Sequence, residues 1–225
     1  MMPHYDPGYF AHRDTTRLAV AEKRTLEHRL IAWELGPAYY DGERSVGYGG
    51  YTYQRKRWHK IVCNVFEHFD LAKSSRILDL GCKKGFFLQA INEIHPDCNL
   101  IGVENHEYPI TQASASIREY LRLGNYYQLD YLADGEIDFL WGFSSIYMQT
   151  LGDVVKTIRE IQRVSSGNSF ITLGAYNNEK QKKSFERWTL LGTTILSCED
   201  WRDVFEYCGY TGHWFFTTPE VLGFK

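Results

Sequence analysis

The sequence contains no uninterrupted apolar run approaching the roughly 18 residues needed to cross a bilayer. Its first ten residues, MMPHYDPGYF, hold no basic stretch followed by an apolar one, so a cytoplasmic protein is expected. There is no CxxC pair either. Cys63, Cys82, Cys98, Cys198 and Cys208 are odd in number and scattered, which speaks against a disulfide framework and a zinc ribbon. No HxxxH or paired-carboxylate spacing selects a metal site. A basic excess is missing as well: 25 Lys and Arg face 28 Asp and Glu, so a duplex-binding module is not called for. Internal repeats and low-complexity blocks are absent.

What is present is ordinary globular material. The chain has 225 residues, 44% hydrophobic and 24% charged, enough for one domain, or one domain with a terminal extension. Sixteen tyrosines and six tryptophans are available either to line a pocket or to fill the core. Residues 1–70 read as an N-terminal helical extension with a Gly/Tyr-rich lid loop, and residues 71–225 as the main domain. Within the extension, Leu18, Leu26, Leu30, Ile31 and Trp33 fall at helical spacing over Thr15 to Leu35, ending at Gly36-Pro37. Trp58, Ile61, Val62, Val65, Phe66 and Phe69 share one face of a helix from Arg57 to Leu71.

From residue 76 onward, short β-prone runs (76–80, 100–104, 137–141 and 170–173) alternate with helical segments at 86–94, 109–121 and 153–164. That alternation predicts a parallel sheet with crossover helices. Ser197 to Asp200 reads as a capping box for a helix ending at Gly209, followed by a late edge strand at 213–218.

The chemistry concentrates in Arg76-Ile77-Leu78-Asp79-Leu80-Gly81-Cys82-Lys83-Lys84-Gly85-Phe86-Phe87, a buried-type strand that ends in an acid and turns through glycines into a helix. In a doubly wound sheet this is the carboxyl edge of the first strand, where ligands bind. Glycines there allow a close backbone approach, and the helix N-terminus offers free N–H donors. A second acid, Glu104, closes the next strand and can accept both hydroxyls of a ribose. Two acids so arranged indicate an adenosine ligand. The spacing Gly81-x-x-x-Gly85 differs from the GxGxxG of nicotinamide sites.

Asp79 followed by Gly81 and Gly85 resembles the acidic first motif of class I S-adenosylmethionine-dependent methyltransferases. Further similarities are Leu123-Gly124-Asn125-Tyr126 after strand three, the strand-four run 136–141, and the helix and turn before strand five at 159–167. The resemblance covers about residues 74–220. It implies a doubly wound, mostly parallel, Rossmann-like seven-stranded α/β sheet that binds S-adenosylmethionine. Asp79, Gly81, Cys82, Gly85, Glu104, Asn105, Asn125, Tyr126 and Phe143 would contact this cofactor. The family loop carries a glycine where this chain has Lys83. If the backbone there needs positive φ, lysine is strained; if the glycine serves close approach, the lysine side chain partly occupies the cofactor path.

Upstream, Tyr39 to Arg44 and Gly47 to Tyr53, leading to Arg57-Trp58, are similar to a bacterial subgroup of small-molecule methyltransferases found with surface-polysaccharide genes. Members tend to have His where Tyr147 stands and Asp where Gly174 stands. This implies a sugar or nucleotide-sugar acceptor met by Tyr48, Tyr51, Arg57 and Trp58. Tyr147 is the candidate catalytic residue facing it, and a pocket-lining or core role for Tyr147 stands beside that reading. The basic group Arg55, Lys56, Arg57, His59 and Lys60 reads either as a phosphate site or as a solvated helix start.

Two functions follow: methyl transfer to a hydroxyl of a small polar acceptor, or a methyltransferase-like partner subunit that has lost catalysis. Small-molecule substrate, no nucleic acid, no membrane, and a homodimer or sister-subunit heteromer are the expected associations.

Overall fold

The computed structural model describes residues 4–9 and 16–223. Near the N-terminus lie α1 (Thr16–Ala21), α2 (Leu26–Trp33), α3 (Pro37–Asp41) and α4 (Arg55–His68). The main domain runs β1 (Arg76–Leu80), α5 (Phe86–Ile94), β2 (Asn99–Glu104), α6 (Glu107–Thr111), β3 (Leu121–Leu123), β4 (Phe139–Gly142) and α7 (Leu151–Ser165). It continues through β5 (Ser169–Tyr176), α8 (Glu179–Trp188), β6 (Leu196–Ser197), α9 (Cys198–Cys208) and β7 (His213–Thr217).

The strands form one seven-stranded sheet in the order β3-β2-β1-β4-β5, with β5 pairing both β6 and β7 on its far side. Every pairing is parallel. Strand order reverses between β1 and β4, so their carboxyl ends open the crevice where this architecture binds ligands. Asp79 sits there, in register with Gly102 of β2 and Trp141 of β4.

Both sheet faces are covered. On one, Trp58, Ile61, Val62, Val65 and Phe66 of α4 share a core with Phe86, Phe87 and Ile91 of α5, as the apolar spacing of both helices dictates. The Phe87 ring stacks on Trp141 at 4.5 Å. On the other face, Val154, Ile158 and Ile161 of α7 pack with Trp201 and Phe205 of α9. The predicted capping box is in place: Ser197 accepts from the Asp200 amide, and Gly209 ends α9 at φ 66°.

Two expected helices differ. The segment read as one helix from Thr15 is two, broken before Thr25, whose hydroxyl and amide pair with His28 in a new cap. Thr15 itself and the Leu18 side chain lie outside the described residues. Leu26, Leu30 and Trp33 are exposed, not packed. The face of α2 that docks does so through polar groups: Arg29 donates to the carbonyls of Thr189 and Glu186, and Trp33 Nε1 to that of Leu190.

The helix expected over 109–121 stops at Thr111. Ser114 and Ser116 bond to each other and the Ser114 hydroxyl takes the Ser116 amide, a local alternative to helical bonding that leads into β3.

Among the described residues, no helix is long and apolar enough to cross a membrane.

Candidate functional site

The turn after β1 is built for close approach. Gly81 adopts φ +74°, and a Cβ there would overlap the Ser145 side chain, which holds the Leu80 carbonyl at 2.8 Å. The Gly81 and Cys82 amides both donate to the Val103 carbonyl, tying the turn to β2. Gly85, at φ +70°, caps α5; a Cβ there would press on Ile117, so this glycine serves packing.

The two acids lie on either side of the turn. Asp79 and Glu104 are 3% and 2% exposed. Glu104 Oε2 accepts the Lys83 amide at 2.8 Å, and Oε1 accepts the Asn105 amide at 2.8 Å and the Tyr126 hydroxyl at 3.2 Å. Burial raises the Glu104 carboxyl, opposed by the charge of Lys83 and by these bonds. Burial pushes Asp79 up to about 7, with Lys83 opposing and Glu104 reinforcing the rise. The Cys82 thiol is raised by burial and by both acids, which keeps it protonated and unreactive.

Lys83 has a left-handed backbone, φ 55°, a conformation costing a non-glycine residue roughly 1 kcal/mol. It is 8% exposed. Its ammonium donates to the carbonyls of Phe143 at 3.0 Å and Gly81 at 3.3 Å.

Lys84, next in the chain, turns toward the N-terminal segment instead. Its ammonium meets Asp41 Oδ1 at 2.5 Å and the Tyr51 carbonyl at 3.1 Å, while Tyr108 donates to Asp41 Oδ2 at 2.8 Å. Against the cost of partial burial, bonds from Lys84 and Tyr108 hold Asp41 below the ordinary carboxylate range. The segment from Gly42 to Tyr53 is folded down by amides of Tyr48 and Tyr51 on the carbonyls of Tyr39 and Tyr40. Gly47 is required, because a Cβ would overlap the Tyr39 carbonyl. The Tyr51 ring stacks on Phe86 at 4.6 Å.

Two cavities result. The first is lined by Asp79, Gly81, Cys82, Phe143 and Tyr147 from the sheet and by Tyr9, Tyr48, Tyr51 and Trp58 from the cover, with Arg24 and Arg44 in its wall. The second is lined by Glu104, Asn105, Tyr126 and Ser145, together with Trp33, Tyr40 and Leu191. Lys83, Tyr39, Met148 and Leu191 border both.

Most of the residues singled out in the sequence therefore meet here. Gly85 and Asn125 line neither cavity; Asn125 is exposed and donates to Gln128. Arg57 is held behind the wall, donating to the Tyr9 carbonyl at 2.6 Å with its guanidinium over the Tyr9 ring. Arg55 and His59 pair with Glu93 of α5, so the basic run includes a helix–helix link.

Sequence reasoning did not single out Tyr9, Arg24 or the Lys84–Asp41 pair, and named Tyr39 and Arg44 only as the ends of a motif. Asp41 and Lys84 both stood inside recognised motifs, but a separation of 43 positions hides their partnership. Among the described residues, no cluster of three or more His, Cys, Asp and Glu side chains could hold a metal.

The acceptors here fit an S-adenosyl cofactor. A strand-end carboxylate suited to ribose hydroxyls borders the second cavity. The Gly81 and Phe143 carbonyls at the first already hold a cation, as they would hold a ligand's ammonium.

Residues 78–172 match the family described as "Methyltransferase domain". The chain is similar in fold to a SAM-dependent methyltransferase from Archaeoglobus fulgidus, at TM-score 0.50 and 15% identity over 68% of each chain. It is also similar to a chain of the complex between the Haloferax volcanii Trm112 methyltransferase activator and a candidate methyltransferase, at TM-score 0.51 and 19% identity, again over 68% of each. None of the curated proteins matches. S-adenosylmethionine is the cofactor that the matched domain implies. Residues 78–172 thus match a methyltransferase domain, set in the Rossmann-like fold of the S-adenosylmethionine-dependent methyltransferases.

Proposed function

We propose that this protein transfers the methyl group of S-adenosylmethionine to a hydroxyl of a small polar acceptor, a sugar or nucleotide-sugar. The observation that carries the reading is the first cavity, which Tyr48, Tyr51 and Trp58 line together with Asp79, Gly81 and Tyr147. Sugar rings pack on aromatic faces; Arg24 and Arg44 in the same wall are spent on backbone carbonyls, Arg24 on those of Ser45, Trp188 and Arg44 and Arg44 on that of Tyr48.

When bound, the cofactor supplies an electrophilic methyl group. In this reading Glu104, Asn105 and Tyr126 hold the adenosine end. Asp79 and the Gly81 and Phe143 carbonyls hold the amino-acid end, where Lys83 now donates. Much of the rate then comes from holding the acceptor oxygen in line with the methyl carbon inside a cavity that the cover shields from water. Tyr147 orients that oxygen by a hydrogen bond, and the acceptor's hydroxyl proton would leave to solvent. Its ring is fixed by Phe185 and by close approach to Gly174, and its carbonyl takes the amides of Thr193 and Thr194.

Turnover to S-adenosylhomocysteine across a panel of sugars and nucleotide-sugars tests the proposal; no turnover with any acceptor at saturating cofactor would reject it. Tyr147→Phe should lower kcat roughly tenfold to a hundredfold with KM within about threefold.

A second reading, a partner subunit that keeps the fold without catalysis, is favoured by the Lys83 side chain lying across the carbonyls at the β1 and β4 ends. The Haloferax relative's complex with an activator is consistent with such pairing. Co-purification from the native host, with turnover appearing only in the complex, would support it.

A further inference from the structure

Six buried side-chain polar atoms have no hydrogen-bond partner among the described residues: Tyr5 Oη, Arg57 Nε, Arg76 Nε, His213 Nδ1, Trp214 Nε1 and Thr217 Oγ1. Only the last belongs to a residue that lines either of the two cavities. Thr217 is 2% exposed and ends β7 at the carboxyl edge of the sheet. Phe215 packs in the core shared with α4 and α5, and Phe216 in the core on the opposite face. Side chains alternate along a strand, so Thr217 falls on the Phe215 side, where Trp58 and the cover close the first cavity.

Hydroxyls close by are satisfied within the fold. On the adjoining strand β5, the Thr172 hydroxyl accepts the Ser144 amide at 2.7 Å. The Thr218 hydroxyl, next in the chain, accepts the Val221 amide at 3.3 Å. Thr217 instead stands in register with Gly174, which has no side chain to offer. The Tyr147 ring comes within 3.2 Å of the place a Gly174 Cβ would take. Gly174 therefore adjoins both the residue read as orienting the reacting oxygen and the unpaired hydroxyl. A buried hydroxyl without a partner is disfavoured in the free protein, and a ligand hydroxyl that supplies the partner recovers the loss.

We propose that the Thr217 hydroxyl binds a second hydroxyl of the acceptor, one that is not methylated, and so selects polyhydroxylated acceptors over those with a single hydroxyl. The inference rests on the reading of the first cavity as the acceptor site of a methyl transfer. It deepens that reading by naming a residue that determines specificity. Tyr147 meets the reacting oxygen and Thr217 another, and two such points fix how the acceptor faces the methyl carbon.

The test pairs one variant with deoxy analogues. For the member of the sugar and nucleotide-sugar panel that is turned over, kcat/KM is measured on the parent acceptor and on analogues lacking each other hydroxyl in turn. Wild type should reject one of these by about a hundredfold or more. Thr217→Val, close in shape, should lose about as much on the parent acceptor, yet handle that deoxy analogue within about threefold of wild type. Thr217→Ser should restore most of the loss. A second readout needs no acceptor: because the hydroxyl is unpaired in the free protein, Thr217→Val should resist thermal unfolding at least as well as wild type, whereas losing a structural hydrogen bond would lower its Tm. Unchanged kcat/KM of Thr217→Val on the parent acceptor, equal losses on the parent and every deoxy analogue, or a lower Tm of the free variant overturns the inference and leaves the acceptor reading standing. No turnover of any panel member overturns the acceptor reading, and the inference with it.

Discussion

The two acids at the strand ends are equally buried, yet the protein treats them in opposite ways. Glu104 is surrounded by donors: two backbone amides and the Tyr126 hydroxyl converge on its two oxygens. Among the described residues no hydrogen bond reaches the Asp79 carboxyl, and burial lifts it to about 7. Burial raises both carboxyls, and only at Glu104 do N–H and O–H donors oppose the rise. Glu104 is anchored in place by the fold, whereas Asp79 is left with electrostatic demand that a cation can satisfy.

Removing the anchored acid should have the largest effect. Glu104→Ala leaves three donors without their acceptor, and a loss of about 4 kcal/mol in chemical denaturation is expected, with cofactor binding weakened at least about a hundredfold.

The opposite sign is expected at Asp79. Its folded carboxyl titrates near 7 against 3.8 ordinarily, so the unfolded chain gives up that proton at lower pH. Ligand-free stability therefore falls as pH rises from about 4 to about 7 and then levels off. Asp79→Asn removes that fall. It should make the ligand-free protein about 3 kcal/mol more stable than wild type at pH 8, with the gain shrinking toward pH 4, while cofactor affinity drops. Denaturation curves across this range check it, and a destabilised variant at pH 8 would show that Asp79 is anchored after all.

The comparison sharpens at Tyr126→Phe, which removes one of the three donors to Glu104. About 1 kcal/mol of stability should be lost, with a fewfold loss of cofactor affinity. If that variant instead matched Glu104→Ala, the hydroxyl alone would be holding the acid.

Much of this region was legible in the sequence because its signals are local. The run 76–80 reads as a buried strand and is β1, and the glycine turn and the acid at 104 follow within thirty residues. The positive φ at Lys83 is one of the two conditions that its loop position left open. The N-terminal part was harder to read. The apolar spacing of Leu26, Leu30 and Trp33 describes a helix correctly but says nothing of its docked face, which is set by Arg29 and Trp33 Nε1 reaching carbonyls about 160 residues away. The serines at 114 and 116 defeat the helix at 109–121 through side-chain bonds that spacing alone does not weigh. Asn125 matches a motif position but faces solvent beside Gln128.

Neighbouring lysines serve opposite walls of the site. Lys83 grips the ends of β1 and β4, while Lys84, one peptide later, grips Asp41 and the Tyr51 carbonyl of the cover. One short turn is thus a common hinge pin. A local opening that frees residues 83 and 84 would release holds on the floor and the roof of the first cavity together.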